Sequence, residues 1–272
     1  MNLWQKHAHQ WSFVRPPLRP SAEDIDMVGA AVAEWTGING QVNPSVLVLG
    51  VTPELCRLPL NSGSRIIAAD NSADMIRALW PGSIRPRDEA ICSDWRSLPL
   101  AANSIHLVLG DGTFSMLPYP AGYAALCAEL RRVLRSQGRC VIRCFTQLEK
   151  RETLEEVLAD LDRGRIGNFH ILKWRLAMAW QSDADAGVSV GEVWNIFHET
   201  WKDFDALAKR YAWPIEELRT IEVYRGMSTR YTFPTLAQYH DFFPTHGFHV
   251  IKTIFPAYEL GGRCPTLVLD LS

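Results

Sequence analysis

The chain has 272 residues, 47% of them hydrophobic and 21% charged, which is long enough to bury a core without disulfide or metal support. Its 28 basic and 30 acidic residues give a formal charge of −2, so the basic surface expected of a nucleic-acid-binding or lipid-binding protein is absent. No segment approaches the ~18 uncharged apolar residues of a membrane span. The six cysteines form no CxxC pair, and a cytoplasmic protein with reduced thiols is predicted.

Residues 1–40 predict an N-terminal helical cap. Ser21 begins a capping-box-like sequence, and apolar residues recur at helical spacing from Met27 to Trp35. Gly37 and Gly40 are expected to end this helix.

Five strand-like apolar segments then alternate with helical patterns, at residues 45–50, 64–70, 89–94, 104–110 and 140–145. Gly138 is expected to turn the chain into the last of them. This βαβαβ order predicts a parallel sheet with helices on both faces and a ligand crevice at the carboxyl ends of the strands. We assign residues 41–150 to this core.

Residues 151–218 interrupt the alternation with consecutive helical patterns and predict an insert. Helices are expected at 154–161, 169–180 and 193–204. The insert is rich in tryptophan, which either lines a substrate pocket as part of a lid or fills the insert's own core or a dimer interface. Residues 219–272 return to the sheet pattern, with a helix from Thr235 to Gly247 and closing strands at 249–254 and 265–269. The predicted fold is a doubly wound, mostly parallel seven-stranded α/β sheet of Rossmann-like type.

Glycine or aspartate stands at four successive predicted strand ends. Gly50 and Asp70 are 20 residues apart, the spacing at which dinucleotide-binding units place the acid that hydrogen-bonds a ribose. The intervening run Gly50-Val51-Thr52-Pro53-Glu54 predicts a tight turn into a helix, with Thr52 as N-cap and Pro53 at the first helical position.

The next two strand ends carry further acids. Asp94 is able to accept a hydrogen bond from an adenine amine while Trp95 stacks on the base. Asp111 follows the fourth strand between Gly110 and Gly112, which allow a close backbone approach.

Taken in order, four segments resemble the motifs of class I S-adenosylmethionine (SAM)-dependent methyltransferases: Val46 to Leu55, Asp70-Asn71-Ser72 with Met75, Ser93-Asp94-Trp95, and Leu98-Pro99-Leu100 through Gly110-Asp111-Gly112. The resemblance covers residues 44–146 and, more loosely, 232–272. It implies SAM as cofactor, with its methionine part at the first-strand loop, its ribose at Asp70 and its adenine at Asp94. The cofactor-binding residues that it implies are Gly50, Val51, Thr52, Glu54, Asp70, Asn71, Met75, Asp94, Trp95 and Gly110.

The first-strand loop departs from the family's pattern, an acid followed by G-x-G-x-G. Val48 replaces the acid, while Thr52 and Glu54 replace the second and third glycines. These departures leave open a second hypothesis, a binding or scaffold protein that keeps the fold without turnover. A nicotinamide-dependent oxidoreductase on a similar sheet is a third.

The resemblance implies methyl transfer from SAM to an oxygen, nitrogen or carbon nucleophile of a small-molecule acceptor. A general base is needed only when the acceptor must lose a proton. Asp111 is the first candidate for this base, followed by His106, His170 and Tyr258. No metal site and no membrane or nucleic-acid partner is predicted, and a homodimer is left open.

Ser189 lies in a G-x-S-x-G pattern typical of hydrolases, but loop-like residues precede it, so a helix cap is predicted there.

Overall fold

The computed structural model describes residues 10–272, so the first nine residues of the predicted N-terminal cap lie outside the described part. Helix α1 (Ala22–Asn39) begins at Ser21, whose hydroxyl accepts a hydrogen bond from the backbone N–H of Asp24. It ends at Gly40, which takes the left-handed conformation that favours glycine. Gly37, also expected to end the helix, lies inside it.

The core alternates strands and helices as predicted. Its elements are β1 (Ser45–Leu49), α2 (Pro53–Cys56), β2 (Arg65–Asp70), α3 (Ala73–Leu79), β3 (Glu89–Cys92), β4 (Ile105–Asp111), α4 (Ala121–Val133) and β5 (Leu134–Arg143).

The insert and the C-terminal part follow. Their elements are α5 (Leu154–Asp162), α6 (Phe169–Trp180), β6 (Val188–Ser189), α7 (Val190–Thr200), α8 (Phe204–Tyr211), α9 (Ile215–Arg219), β7 (Arg230–Tyr231), α10 (Leu236–Thr245), β8 (Phe248–Ile254) and β9 (Thr266–Leu271), with 3-10 turns at residues 11–13, 114–116, 220–224 and 261–263.

Seven strands form one sheet in the order β3-β2-β1-β4-β5-β9-β8. The first five are parallel to one another, and β9 runs antiparallel to both of its neighbours. This confirms the predicted doubly wound, mostly parallel fold. The chain builds outward from β1 to β3 and then returns to the other side of β1 with β4, so the strand order reverses between β1 and β4. Ligands of open α/β sheets bind at such a reversal.

Two local predictions were wrong. Gly138 does not turn the chain into the fifth strand but lies inside β5, which starts at Leu134. The helix expected over residues 193–204 is two helices, because the side chain of Asp203 accepts a hydrogen bond from the backbone N–H of Ala206 and begins α8.

Apolar side chains are buried in three clusters. Two of them cover the opposite faces of the sheet, and the third fills the insert. Tyr224, Tyr231 and Phe233, which follow the predicted insert in sequence, pack in the insert's cluster. Within residues 10–272 no helix is long and apolar enough to cross a membrane.

Candidate functional site

A cavity lies at the carboxyl edge of the sheet, beside the reversal between β1 and β4. It is enclosed by the sheet edge, the insert and the N-terminal segment, and its volume is about 210 Å³. A single water needs about 10–15 Å³, so the cavity accepts an organic molecule rather than one ion or water. Apolar and aromatic side chains provide most of its lining, as is usual for small-molecule sites.

Three residues from successive strand ends meet on one side of this cavity. Gly50 has a positive φ of 98°, and a Cβ atom placed on it would lie 3.9 Å from both Asp70 Oδ2 and Trp95 Cζ2. The Trp95 indole donates a hydrogen bond to the backbone carbonyl of Ala69 at 2.6 Å, which fixes the ring beside the end of β2. Gly50 therefore keeps open a space that a carboxylate and an aromatic ring both face.

The Asp70 carboxylate is buried with only one oxygen engaged. Its Oδ1 accepts a hydrogen bond from the backbone N–H of Ser72 at 2.8 Å, while no hydrogen bond in the described part of the chain involves Oδ2. Burial raises the pKa of Asp70 to about 6, against the opposing effect of the Ser72 hydrogen bond. Oδ2 is thus an acceptor available to a ligand hydroxyl.

Nine of the eleven predicted site residues line the cavity. They are Gly50, Val51, Thr52, Asp70, Asn71, Met75, Asp94, Trp95 and Asp111. Thr52 immediately precedes α2, but its side chain makes no capping hydrogen bond. Neither Thr52 nor the replacement of the loop glycines closes the cavity.

Glu54 and Gly110, also predicted as cofactor-binding residues, do not line the cavity. The Glu54 carboxylate forms an ion pair with Arg19. A Cβ on Gly110 would lie 2.7 Å from Thr113 Oγ1 and 3.0 Å from Ile142 Cδ1, so glycine is needed there for packing inside the sheet.

Asp94 lies at the half-exposed end of the cavity and is held by a neighbour. Its carboxylate accepts hydrogen bonds from the backbone N–H and the guanidinium of Arg96, at 2.6 to 3.0 Å. These contacts hold the pKa of Asp94 below its ordinary value, so the group stays ionised near neutral pH. A ligand amine would share this carboxylate with Arg96.

Asp111 belongs to a buried charge network. Arg143 Nε donates to Asp111 Oδ1 at 2.6 Å, and Arg143 Nη1 lies 3.6 Å from Asp24 Oδ2. Tyr258 joins Arg143 to Asp24 through its hydroxyl, accepting from the former and donating to the latter, at 3.0 Å each. Burial raises the pKa of Asp111, and Arg143 opposes that rise. Tyr258, a candidate base in the sequence, does not line the cavity.

The two histidine candidates also lie away from the cavity. His106 stands near the amino end of β4, ~16 Å along the strand from Asp111, and its Nδ1 accepts a hydrogen bond from the Ser45 backbone N–H. His170 Nε2 donates to the backbone carbonyl of Phe13 at 2.9 Å. Burial lowers the pKa of His170 to about 3, so this ring is neutral at physiological pH. Neither histidine is positioned as the base.

The insert supplies lining residues that the sequence analysis missed. They are Lys173 and Trp174 of α6. Tyr224, Thr229 and Tyr231, which follow the insert in sequence, line the same side, and Phe145, just after β5, completes it. A signal for Lys173 was present: it stands in an apolar run that forms a helix with eleven of its twelve residues buried. The other insert tryptophans do not line the cavity.

The segment of residues 10–20, here called the N-terminal strap, covers the cavity from a third side. Its residues Trp11, Val14 and Leu18 line the cavity. The Asn168 side chain donates to the backbone carbonyl of Pro16, and the strap's Arg19 pairs with Glu54, so the strap touches both the insert and the core.

Residues 49–142, which include the strand ends described above, match the family model of a methyltransferase domain. This third of the chain is thus a methyltransferase domain. The resemblance predicted from the strand-end motifs is thereby confirmed, and SAM is the methyl donor of this family.

Three solved structures resemble this chain in fold. One is described as a putative Zn-dependent alcohol dehydrogenase from Rhodobacter sphaeroides (12% identity, 99% of this chain and 97% of that chain, TM-score 0.61). Another is a chain from the complex between the Haloferax volcanii Trm112 methyltransferase activator and the putative methyltransferase (13% identity, 100% of this chain and 98% of that chain, TM-score 0.51). The third is described as a putative SAM-dependent methyltransferase from Listeria monocytogenes (13% identity, 90% of this chain and 99% of that chain, TM-score 0.50). At these identities the likeness concerns the fold alone.

No curated protein matches the chain. Among residues 10–272, no group of three or more His, Cys, Asp or Glu side chains is arranged to hold a metal ion.

Proposed function

We propose that this domain transfers the methyl group of SAM to a nucleophile of a small-molecule acceptor bound in the same cavity. The observation that carries the proposal is the convergence of Gly50, Asp70 and Trp95 on one space at the strand reversal, continuous with an aromatic chamber. The same cavity therefore offers a polar end for a nucleoside and an apolar end for an acceptor.

The residues at the polar end fit SAM. Asp70 Oδ2 is an open acceptor for a ribose hydroxyl, and Trp95 and Met75 offer apolar surfaces to an adenine. Gly50 leaves the room that a side chain would fill. When bound, SAM supplies a methyl group already activated by a positively charged sulfur, so the protein's task is to align the acceptor and exclude water.

The acceptor end favours a small, partly aromatic molecule. Its walls come from the insert and the N-terminal strap, which together cover this end of the cavity. This supports the lid interpretation of the insert, although Trp174 alone among the insert tryptophans faces the cavity. Trp194, Trp201 and Trp213 pack in the insert's own cluster, and Trp180 is exposed.

Thermal unfolding with SAM, S-adenosylhomocysteine (SAH) and NADH tests the proposal. A ligand at 100 times its Kd adds about 2.7 kcal/mol to the free energy of unfolding, which raises Tm by a few degrees. We expect a rise with SAM and SAH but not with NADH. Asp70→Ala should abolish the rise, and Ser189→Ala should keep it, because the Ser189 hydroxyl bonds the Met227 carbonyl outside the cavity. A rise with NADH alone, or none with either sulfur nucleoside, would overturn the proposal.

A further inference from the structure

Lys173 places an amine at the acceptor end of the cavity without a counter-ion. The residue is 1% exposed, and its Nζ lies 5.0 Å from the ring centroid of Tyr224 and 5.5 Å from that of Phe169. None of the hydrogen bonds or ion pairs found in residues 10–272 involves this amine. Because burying an ammonium without a partner is costly, the position calls for a reason other than packing.

The surroundings of Lys173 contain no acid that compensates its charge. On its own helix, His170 is neutral near physiological pH, and Arg175 is paired with Glu152 and Asp160. The helices packed against α6 are α5, α7 and α9, which also carry His198 and Arg219. None of their acidic side chains forms an ion pair with Lys173 in the described part of the chain: Glu155, Glu156, Asp160, Asp162, Glu192, Glu199, Glu216 and Glu217. Tyr224 and Tyr231 line the cavity together with Lys173. Glu217 forms an ion pair with Arg15 of the strap. Burial alone lowers the pKa of Lys173 to about 7, so a large fraction of the amine is uncharged at neutral pH.

A second unpaired donor stands next to it. Trp174 Nε1 is buried and has no hydrogen-bond partner, although the residue lines the cavity. The Trp174 ring makes edge contacts with Phe145 and Tyr231, at centroid distances of 5.3 and 5.5 Å. The chamber thus combines aromatic walls with an amine and an N–H group that have nothing to bond within the protein.

We propose that Lys173 is a catalytic residue that accepts the proton of an acidic hydroxyl, a phenol or enol, on an aromatic acceptor and then stabilises the resulting oxyanion. This inference rests on the proposed function and names its substrate class. A neutral amine without a counter-ion is suited to take up a proton, whereas a permanent anchor for a carboxylate would gain from being charged at rest.

The step balances as follows. The acceptor O–H bond breaks and its proton forms a new N–H bond on Lys173 Nζ, which gives an oxyanion beside an ammonium. An oxygen electron pair forms the C–O bond to the methyl group, while the C–S bond breaks and its electrons remain on sulfur. The ammonium returns its proton to solvent after the products leave.

The test uses 4-nitrophenol as probe, because its phenolate absorbs visible light and its phenol does not. It is added to the protein saturated with SAH, at a pH where the free probe is mostly un-ionised. We expect the bound probe to show the phenolate spectrum in the wild type. Lys173→Met should lose that spectrum and bind the probe at least tenfold more weakly. Lys252→Met is the matched control, because Lys252 is half-exposed and pairs with Glu34, and it should behave as the wild type.

Two further probes separate the alternatives. 4-Nitroanisole has no hydroxyl, so it should bind the wild type and Lys173→Met equally. Equal binding of 4-nitrophenol by both proteins would overturn the proposal, and so would tight binding of 4-nitrobenzoate with no phenolate spectrum, which would make Lys173 a carboxylate anchor. The SAH-dependent rise in Tm is measured on the same samples. If SAH binds and no phenol does, the inference fails alone, whereas if SAH does not bind the wild type, the proposed function fails with it.

Discussion

Asp70 Oδ2 lies 3.9 Å from the position that a Cβ atom on Gly50 would take, so the carboxylate that ends β2 and the glycine that follows β1 face the same space. Two sequence motifs 20 residues apart thus meet at one side of the cavity. Its properties give the first three predictions.

The affinity for SAH should fall as the pH is lowered through about 6. The pKa of Asp70 is raised to about 6, so below that pH the carboxyl is protonated in the free protein and no longer accepts from a ribose hydroxyl as an anion. The loss approaches tenfold per pH unit and is measured by titration calorimetry between pH 5 and 7.5. Asp70→Asn should bind weakly at every pH. Asp94→Asn should keep the pH dependence of SAH binding, because Arg96 holds the pKa of Asp94 low. If Asp94→Asn lost the pH dependence, its attribution to Asp70 would be contradicted.

Asp70→Asn should also stabilise the ligand-free protein at pH 7.5. The pKa of this carboxyl is raised from 3.8 to about 6 on folding, so its contribution to stability is present at low pH and is lost as the pH rises through about 6. Removing the buried charge recovers up to roughly 3 kcal/mol, measured by urea unfolding. The gain should vanish near pH 4, and an equal gain at both pH values would show that burial of the charge is not its cause.

Gly50→Ala should abolish SAH binding and also lower stability. The positive φ of Gly50 costs a residue with a Cβ about 1–2 kcal/mol, and the methyl group would enter the space that Asp70 and Trp95 face. Gly40→Ala is the matched control, because Gly40 also has a positive φ but nothing within 4 Å of its Cβ position. Both variants should lose Tm, and only Gly50→Ala should lose the SAH-dependent rise.

Lys173→Met should stabilise the protein most at or below pH 7. The pKa of Lys173 falls from 10.5 to about 7 on folding, so the unfolded chain holds more protons between these values and wild-type stability rises with pH there. The advantage of the variant, roughly 5 kcal/mol at most, should shrink as the pH approaches 10. Denaturant titrations at pH 6.5 and 9.5 measure it, and a constant advantage would mean that the amine keeps an ordinary pKa.

Asp111→Asn should destabilise the fold strongly. The substitution takes the closest carboxylate from Arg143, whose side chain is 2% exposed, and breaking a buried ion pair costs about 3–5 kcal/mol. Asp94→Asn breaks an exposed pair and should cost less than about 1 kcal/mol. If Asp111→Asn unfolds at the wild-type urea concentration, the charge network does not support the fold. Asp111 remains a predicted base, with one carboxylate oxygen already engaged.

The sequence was sufficient for the sheet and for the convergence of residues at its carboxyl edge. Apolar strands alternating with amphipathic helices determine the order of a doubly wound sheet, and residues that end parallel strands necessarily meet at one edge. Gly50, Asp70 and Trp95 were found for this reason. Glu54 and Gly110 stay predictions and lie outside the cavity lining, because Glu54 pairs with Arg19 of the strap and Gly110 packs inside the sheet.

The acceptor side could not be predicted in the same way. Lys173 and Tyr231 are 58 positions apart, and no period or spacing rule brings an insert helix over a strand edge. Only the packing of the insert onto the core decides which of its residues face the cavity. The lysine within an apolar helix marked the position as unusual, but its environment depends on tertiary contacts.

The N-terminal strap and the insert lie outside the residues that match the methyltransferase model, yet Trp11, Val14 and Leu18 of the strap and Lys173 and Trp174 of the insert line the same cavity. On the proposed function, the residues for the methyl donor and those for the acceptor lie in separate stretches of the chain. Exchanging residues 10–20 and the insert between related enzymes would therefore transfer substrate preference without changing the residues for the methyl donor. The ends of these two segments are suitable junctions for engineered chimaeras.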